Sequence, residues 1–268
     1  MKVGNGYSYK GDTIMVMDDL IDMGEKVDYV ITSPPYNMRG HAQEMYNNAE
    51  SFNDNMSNEE YKEWIISLFE RYELLLNEGG IILFNMNYMS SRKNEAFNTF
   101  DIISTIAQET GFALIDQICW KKNTAQPLTE GRLSRIWENV WVFIRRDDWE
   151  IFRTRFKKHL AGKYNYIVAP NNDGSNDVNK ACFSSSLVEQ LLAIYDAQPE
   201  HIALDNFMGT HTTAIGCEKY GCKWIGIELD NDTLIYGRDR VNNFVGDYEK
   251  VTKHVTQTLF NIGEGEEQ

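Results

Sequence analysis

Apolar residues recur along this chain in two periods, and the switches between them outline its elements. A β-rich run, "VDYVIT" at 27–32, is closed off by Pro34 and Pro35 and predicts a central strand. After a loop at 37–56 rich in Asn, Gly and Asp, Ser57 and Glu60 form a capping-box pattern. Behind it, Trp64, Leu68, Phe69, Tyr72 and Leu75 share one stripe at helical spacing over 61–76, and Asn77-Glu78-Gly79-Gly80 ends that helix. Strands are predicted at 81–87, 112–122, 139–146, 201–207 and 223–229, and helices at about 98–110, 184–197 and 212–220. Near the start, a Gly11-Asp12 turn leads into a helix-like segment. Such alternation implies an α/β fold, a mostly parallel sheet with helices on both faces. Only 147–178 breaks the rhythm. Its periodicity is weak, it ends in "APNNDGSNDVNK", and it reads as an insertion or small subdomain. No internal repeat is present, and 263–268 reads as a disordered tail.

Composition adds limits. The 268 residues suffice for one large α/β domain or two small ones. The start lacks the apolar core of a signal peptide, and no apolar run reaches about 18 residues, so no membrane span is expected. The cysteines, Cys119, Cys182, Cys217 and Cys222, have no CxxC spacing and read as buried thiols in a reducing cytoplasm. A net charge of -14 argues against a general polyanion binder. Its distribution changes that picture: residues 119–163 hold eleven basic and five acidic residues, a net +6 that leaves -20 for the rest. One basic face on an acidic body can bind nucleic acid at one place, or can simply be a solvated surface.

The stretch "HIALDNFMGTHTTAIGCEKYGCKWIGIELD" carries candidate chemistry. A strand ends in Asp205, a turn with Gly209 leads to a helix near Thr212, and a second strand ends in Glu228. This is the plan of a nucleoside-binding βαβ unit, in which glycine admits the ligand and the second acid takes ribose hydroxyls. G-x-G-x-x-G is absent, and Asp205 would repel a pyrophosphate but suits an ammonium. S-adenosylmethionine (SAM) has an amino-acid tail for Asp205 and a ribose for Glu228. A purely structural strand–turn–helix fits the same stretch equally well.

Together with "TSPPYN", that stretch resembles the amino-methyltransferases that act on exocyclic nitrogens of DNA bases. "YKGDTIMVMDDL", "FNDNMSNEEYKEWI", "NEGGIILFNM", "ICWKKNTAQP", "WENVWVF" and "KACFSSSLVEQLL" resemble further segments of that family. The catalytic motif precedes the cofactor motif, the permuted order of the β-class. The resemblance implies a Rossmann-like SAM-dependent methyltransferase fold, with a catalytic half at 1–146, a target-recognition insertion at 147–178, a SAM-binding half at 179–247 and an extension at 248–268. It implies Ser33, Pro34, Pro35 and Tyr36 as catalytic residues. Asp12, Thr32, Phe183, Ser184, Asp205, Phe207, Gly209, Thr212, Thr213 and Glu228 become the cofactor site. Double-stranded DNA is the implied partner, with Lys121, Arg132 and Arg135 beside the catalytic edge and Arg153, Lys157 and Lys158 in the recognition segment. A second subunit in a homodimer and a cognate restriction endonuclease are further partners the resemblance allows. Two residues depart from the pattern. Asn206 stands for a proline, which should change only local stiffness, and His211 stands for a glycine, adding bulk and a potential charge beside a sulfonium.

The double proline acquires a physical meaning here. The lone pair of an exocyclic amine is delocalised into the base, and simple deprotonation near pH 7 cannot free it. Two acceptors on its N–H bonds would bias the nitrogen toward a pyramidal shape, its lone pair aimed at a methyl donor. Ser33 and Pro34 each precede a proline and are pushed to extended backbone. The stiff loop can therefore aim the Ser33 hydroxyl and the Pro34 carbonyl at one point, with Tyr36 as a stacking face for an extruded base. In the resembling families, Ser at the first motif position goes mostly with cytosine N4, and Asp or Asn with adenine N6. Carbon-5 methylation is excluded, because no proline is followed by cysteine. Ser33 therefore points to cytosine N4, and an adenine-N6 DNA methyltransferase, a non-catalytic nucleic-acid reader and an enzyme acting on RNA or a smaller amine are the alternatives.

Overall fold

Residues 27–32 alternate Tyr29 and Ile31 with Val30, and all three are buried because helices cover both faces of the strand they form. That strand is β3 (Val27–Thr32), central to a nine-stranded sheet in a computed structural model. The structure describes residues 1–37, 56–87, 99–126, 133–174 and 182–263, with side chains as far as 247. Its other strands are β1 (Lys2–Val3), β2 (Gly6–Lys10), β4 (Leu76–Asn85), β5 (Phe112–Gln126), β6 (Arg135–Arg145), β7 (Tyr166–Val168), β8 (Ile202–Asp205) and β9 (Lys223–Glu228). The spatial order is β1-β2-β9-β8-β3-β4-β6-β5-β7. From β2 to β4 the strands run parallel; β6 is antiparallel to both neighbours, and β7 runs parallel to β5.

Among the described residues, seven α-helices flank the sheet. α1 (Thr13–Asp22), α2 (Asn58–Leu75) and α3 (Thr99–Glu109) cover one face, where Met17, Phe69, Tyr72 and Ile103 pack on Val30, Ile82 and Phe84. Phe69 meets Tyr72, Phe84, Phe112 and Phe143 edge-on at 5.2 to 5.5 Å, an arrangement worth about 0.5–1.5 kcal/mol per ring pair. The other face holds α4 (Trp149–Phe156), α5 (Ser185–Ile194), α6 (Thr212–Tyr220) and the start of α7 (Asn231–Gly263). The predicted capping box is formed: the Glu60 N–H donates to Ser57 Oγ and the Ser57 N–H to Glu60 Oε2. Among the described residues, no helix is long and apolar enough to cross a membrane.

Three segments differ from the pattern read along the chain. Residues 6–10 form β2, a short strand whose parallel partner β9 lies more than two hundred residues later. β4 opens at Leu76, directly after α2, and Asn77–Gly80 bulges out between the pairs Val27↔Leu76 and Tyr29↔Ile81. Residues 147–178 are no layer of their own where they are described. Phe152 and Phe156 of α4, Ile167 of β7 and Ala169 are buried in the main core. The predicted extension at 248–268 begins inside α7, and the tail at 264–268 lies outside the described residues.

Candidate active site

β3, β8 and β9 all end at one edge of the sheet, and the loops leaving them build the site. Ser33 to Asn37 leave β3. The Tyr61 hydroxyl donates to the Pro35 carbonyl at 2.7 Å and fixes the loop to the first turn of α2. Asn37, buried at φ 52°, anchors its far end: Nδ2 donates to the Met56 carbonyl at 2.9 Å and Oδ1 accepts the Met56 N–H at 3.0 Å. Ser33 Oγ and the Tyr36 hydroxyl share a hydrogen bond of 3.3 Å. Pro34 is buried, and among the described residues no donor sits on its carbonyl.

Asp205 ties this loop to the next one. It is 1% exposed; Oδ1 accepts from Thr32 Oγ1 at 2.8 Å and from the Phe207 N–H at 3.1 Å, and Oδ2 accepts from Thr213 Oγ1 at 2.5 Å. Burial pushes its carboxyl up to about 6 despite these donors. Its donors come from three elements, so Asp205 knits the end of β3 to the head of α6. The neighbouring acid, Glu228, accepts the Gly209 N–H on Oε2 and the Asp230 N–H on Oε1, both at 2.8 Å, and burial pushes it up to about 7. Gly209 has φ 51°, which favours glycine. The Gly11 N–H donates to the Glu228 carbonyl at 3.1 Å and brings Asp12 to the same edge, where its carboxylate caps α1 through Ile14 and Met15. Thr212 is buried and takes a 3.4 Å contact from Arg240; Phe207 is half-buried, its ring 5.5 Å from Trp64. Phe183 packs on the core beside Ser184, the residue ahead of α5, whose buried hydroxyl has no partner among the described residues.

Both departures from the family pattern behave differently from what the sequence suggests. Asn206 does more than loosen a turn. It is 1% exposed, accepts the Tyr72 hydroxyl at 2.7 Å and donates to Thr13 Oγ1 at 2.9 Å, joining α2 to α1 beneath the site. Asn206→Ala leaves both partners buried without a bond and should lower unfolding stability by about 2–4 kcal/mol, read from urea melts. Restoring the family's proline at this position should destabilise the chain as well. His211 places no charge beside a ligand. It is fully buried, and burial pushes its imidazole down to about 4.

The basic residues separate. β5 and β6 run on past the edge of the parallel strands: Asn85 is level with Val140, while Lys121 faces Trp137 and Gln126 faces Arg135 farther out. Lys121 and Arg135 thus stand on an arm rising from the catalytic edge, with Trp137 47% exposed. Lys122 on the same arm is paired with Glu138. Arg132 lies outside the described residues. Arg153, Lys157 and Lys158 are not at this edge. α4 is fastened to the opposite one: Asp148, just ahead of it, accepts the Gly79 N–H, Arg155 donates to the Tyr29 hydroxyl and the Asp196 carbonyl, and His159 bonds the Ile194 carbonyl. Arg153 is paired with Glu150 there. Reading by sequence also passed over Tyr61, whose only signal is its place in the first turn of α2, and gave no role to Asn37, the last residue of TSPPYN.

Residues 27–234, from the start of β3 into α7, match the model of the DNA methylase family of N6 and N4 methyltransferases. The chain belongs to this family. Among curated relatives of the chain, the type II beta methyltransferase M.BslI of Bacillus sp. (strain NEB-606) is 26% identical over 86% of this chain, but the match spans only 27% of M.BslI. The orphan methyltransferase M.BamHII of Bacillus amyloliquefaciens is 22% identical over 82% of this chain and 90% of its own length. The fold matches the solved PvuII DNA methyltransferase (cytosine-N4-specific) with a TM-score of 0.67 at 18% identity, over 91% of this chain and 92% of that one. It matches the M1.HpyAVI-SAM complex with a TM-score of 0.61 at 24% identity, over 88% of this chain and 100% of that one.

Proposed function

We propose that this DNA methylase moves a methyl group from SAM to the N4 amine of a cytosine turned out of duplex DNA. The carrying observation is the 2.8 Å hydrogen bond from Thr32 to Asp205. It fastens the residue just before the Ser33-Pro34-Pro35-Tyr36 clamp to the acid that organises the cofactor loop, so acceptor and donor sites share one rigid corner.

SAM, when bound, supplies an electrophilic methyl group on a sulfonium. The residues present suit it. The ribose hydroxyls find Glu228, whose oxygens hold two backbone N–H groups and keep further lone pairs. The amino-acid end finds the unpartnered Ser184 hydroxyl at the head of α5, a helix end that favours a carboxylate. Asp205 supplies negative potential beneath a cationic ligand rather than a direct bond, because its oxygens are occupied by Thr32, Phe207 and Thr213. Ser33 Oγ and the Pro34 carbonyl accept hydrogen bonds from the two amine N–H groups and Tyr36 stacks on the base; the methyl–sulfur bond breaks as the methyl–nitrogen bond forms, S-adenosylhomocysteine leaves, and one N4 proton is released to water. The cytosine assignment rests on Ser33 at the first motif position.

The test is to incubate the protein with duplex DNA and tritiated SAM and identify the methylated nucleoside by mass spectrometry. N4-methylcytosine supports the proposal; methyladenine as sole product would sink the cytosine assignment, and no transfer with intact DNA binding would favour a reader. The arm of β5 and β6 is the DNA face on this reading. Lys121→Ala and Arg135→Ala should each reduce the slope of log affinity against log salt by about one where the residue meets a phosphate. A Lys157→Ala, Lys158→Ala pair, at the far edge, should leave that slope unchanged.

A further inference from the structure

Three side chains outside the proposed chemistry converge behind the cofactor loop: Ser8 on β2, His211 ahead of α6 and Arg238 on α7. His211 is fully buried in the left-handed region, at φ 63° and ψ 32°, a conformation His visits more readily than most side chains. Its partners decide its tautomer. The Gly209 carbonyl can only accept, so Nδ1, 3.0 Å away, carries the hydrogen. Nε2 is then an acceptor, and the Ser8 hydroxyl donates to it at 2.8 Å. Ser8 Oγ in turn accepts Arg238 Nε–H at 3.2 Å, while Arg238 Nη2 donates to the Ser8 carbonyl at 2.8 Å. Every donor in this row points from the guanidinium toward the Gly209 carbonyl. Burial first, then the charges of Arg238 and Arg240, oppose a second proton on the ring.

Gly209 has its other polar group committed too, since its N–H donates to Glu228 Oε2 at 2.8 Å. His211 and Glu228 therefore hold one glycine from two sides. Room for the imidazole comes from α7: a Cβ on Gly237 would lie 2.0 Å from Nδ1 and 2.5 Å from Cγ of His211. Trp224 closes the remaining side edge-on at 6.1 Å.

We propose that His211 is a positioning residue of the cofactor loop: as the Nδ1–H tautomer, aligned by Ser8 and Arg238 and housed against Gly237, it fixes Gly209 and, through it, the Glu228 carboxylate. The effect on SAM rests on the function proposed above; the tautomer and the pairing with Gly237 do not. In the full chain labelled with 15N-histidine, the His211 ring, assigned by its loss in His211→Asn, should show a protonated Nδ1 and a bare Nε2 between pH 6 and 8. Ser8→Ala and His211→Asn should raise the SAM dissociation constant about tenfold, with kcat at saturating SAM within about twofold of wild type. Gly237→Ala should lower the melting temperature and weaken SAM in the parent, yet have little effect in a His211→Gly background. A protonated Nε2, wild-type SAM affinity in Ser8→Ala, or equal damage from Gly237→Ala in both backgrounds would each overturn the inference. A wild-type chain that binds no SAM would overturn the proposed function instead, and the ring spectrum and the Gly237 melts would still decide the tautomer and the pairing.

Discussion

Ser33→Ala should lower kcat for methyl transfer about 10- to 100-fold and leave SAM affinity within about twofold. On the function proposed above, the hydroxyl is one of two acceptors on the reacting amine, and losing such a bond where charge develops costs about 1.5–3 kcal/mol, each 1.36 of which is tenfold in rate. Its position does not depend on the rest of the clamp collapsing, because Tyr61 and Asn37 hold the loop from the other side. Tyr36→Ala acts on a different quantity. It removes the stacking face and should weaken productive DNA binding by about 1–3 kcal/mol, and it also frees Ser33 from its 3.3 Å partner. Single-turnover kinetics with saturating SAM separate the two. Wild-type turnover in both variants would place the chemistry away from this loop.

Asp205→Ala is expected to be the most damaging change in the cofactor loop. It strands the Thr32 and Thr213 hydroxyls and the Phe207 N–H in a buried corner, and unfolding stability should fall by about 2–5 kcal/mol with SAM binding lost. Asp205→Asn keeps shape and one acceptor, and its behaviour should depend on pH. The folded chain holds the Asp205 proton more tightly than the unfolded chain, with a carboxyl at about 6 instead of 3.8. That preference stabilises the fold fully below about pH 4 and is lost as pH rises through about 6, a change of roughly 3 kcal/mol. Asparagine has no such proton. Urea melts from pH 4.5 to 8 should therefore show Asp205→Asn gaining on wild type as pH rises. A difference that stays flat with pH would mean the carboxyl titrates normally.

Much of the candidate site was legible because many of its residues sit in two contiguous stretches, Thr32–Tyr36 and Asp205–Glu228, while Asp12, Phe183 and Ser184 come from elsewhere in the chain. Periodicity placed β3, β8 and β9, prolines marked the end of β3 and Gly209 the loop after β8, while the acid Glu228 was the signal at the end of β9. What escaped was whatever depends on which edge a residue reaches. Arg135 and Arg153 are close in sequence, yet β6 runs antiparallel and its eleven residues, at about 3.4 Å each, carry the chain some 35 Å from the tip of the arm to the opposite edge. Charge counting cannot see that reversal. The segment around α4 looked aperiodic because its apolar anchors are few, chiefly Phe152, Phe156 and the three-residue β7, and the rest of its fastening is by polar bonds to distant residues. Asn206 and His211 were read as deviations from a pattern, because their compensating partners, Tyr72, Thr13, Ser8 and Gly237, come from distant positions.

The place of β3 between β8 and β4 has a consequence for how the chain is made. β4 follows soon after β3, but β8 lies about 170 residues later, and synthesis at 5–20 residues per second puts roughly ten to thirty seconds between them. Throughout that interval one side of "VDYVIT" has no neighbour. An unpaired apolar strand edge is a template for pairing with other chains. The nascent protein is thus most exposed to aggregation while the loop after β3 is already synthesised but has nothing to face, and ribosome-bound chaperones should matter most for chains stalled between residues 85 and 202.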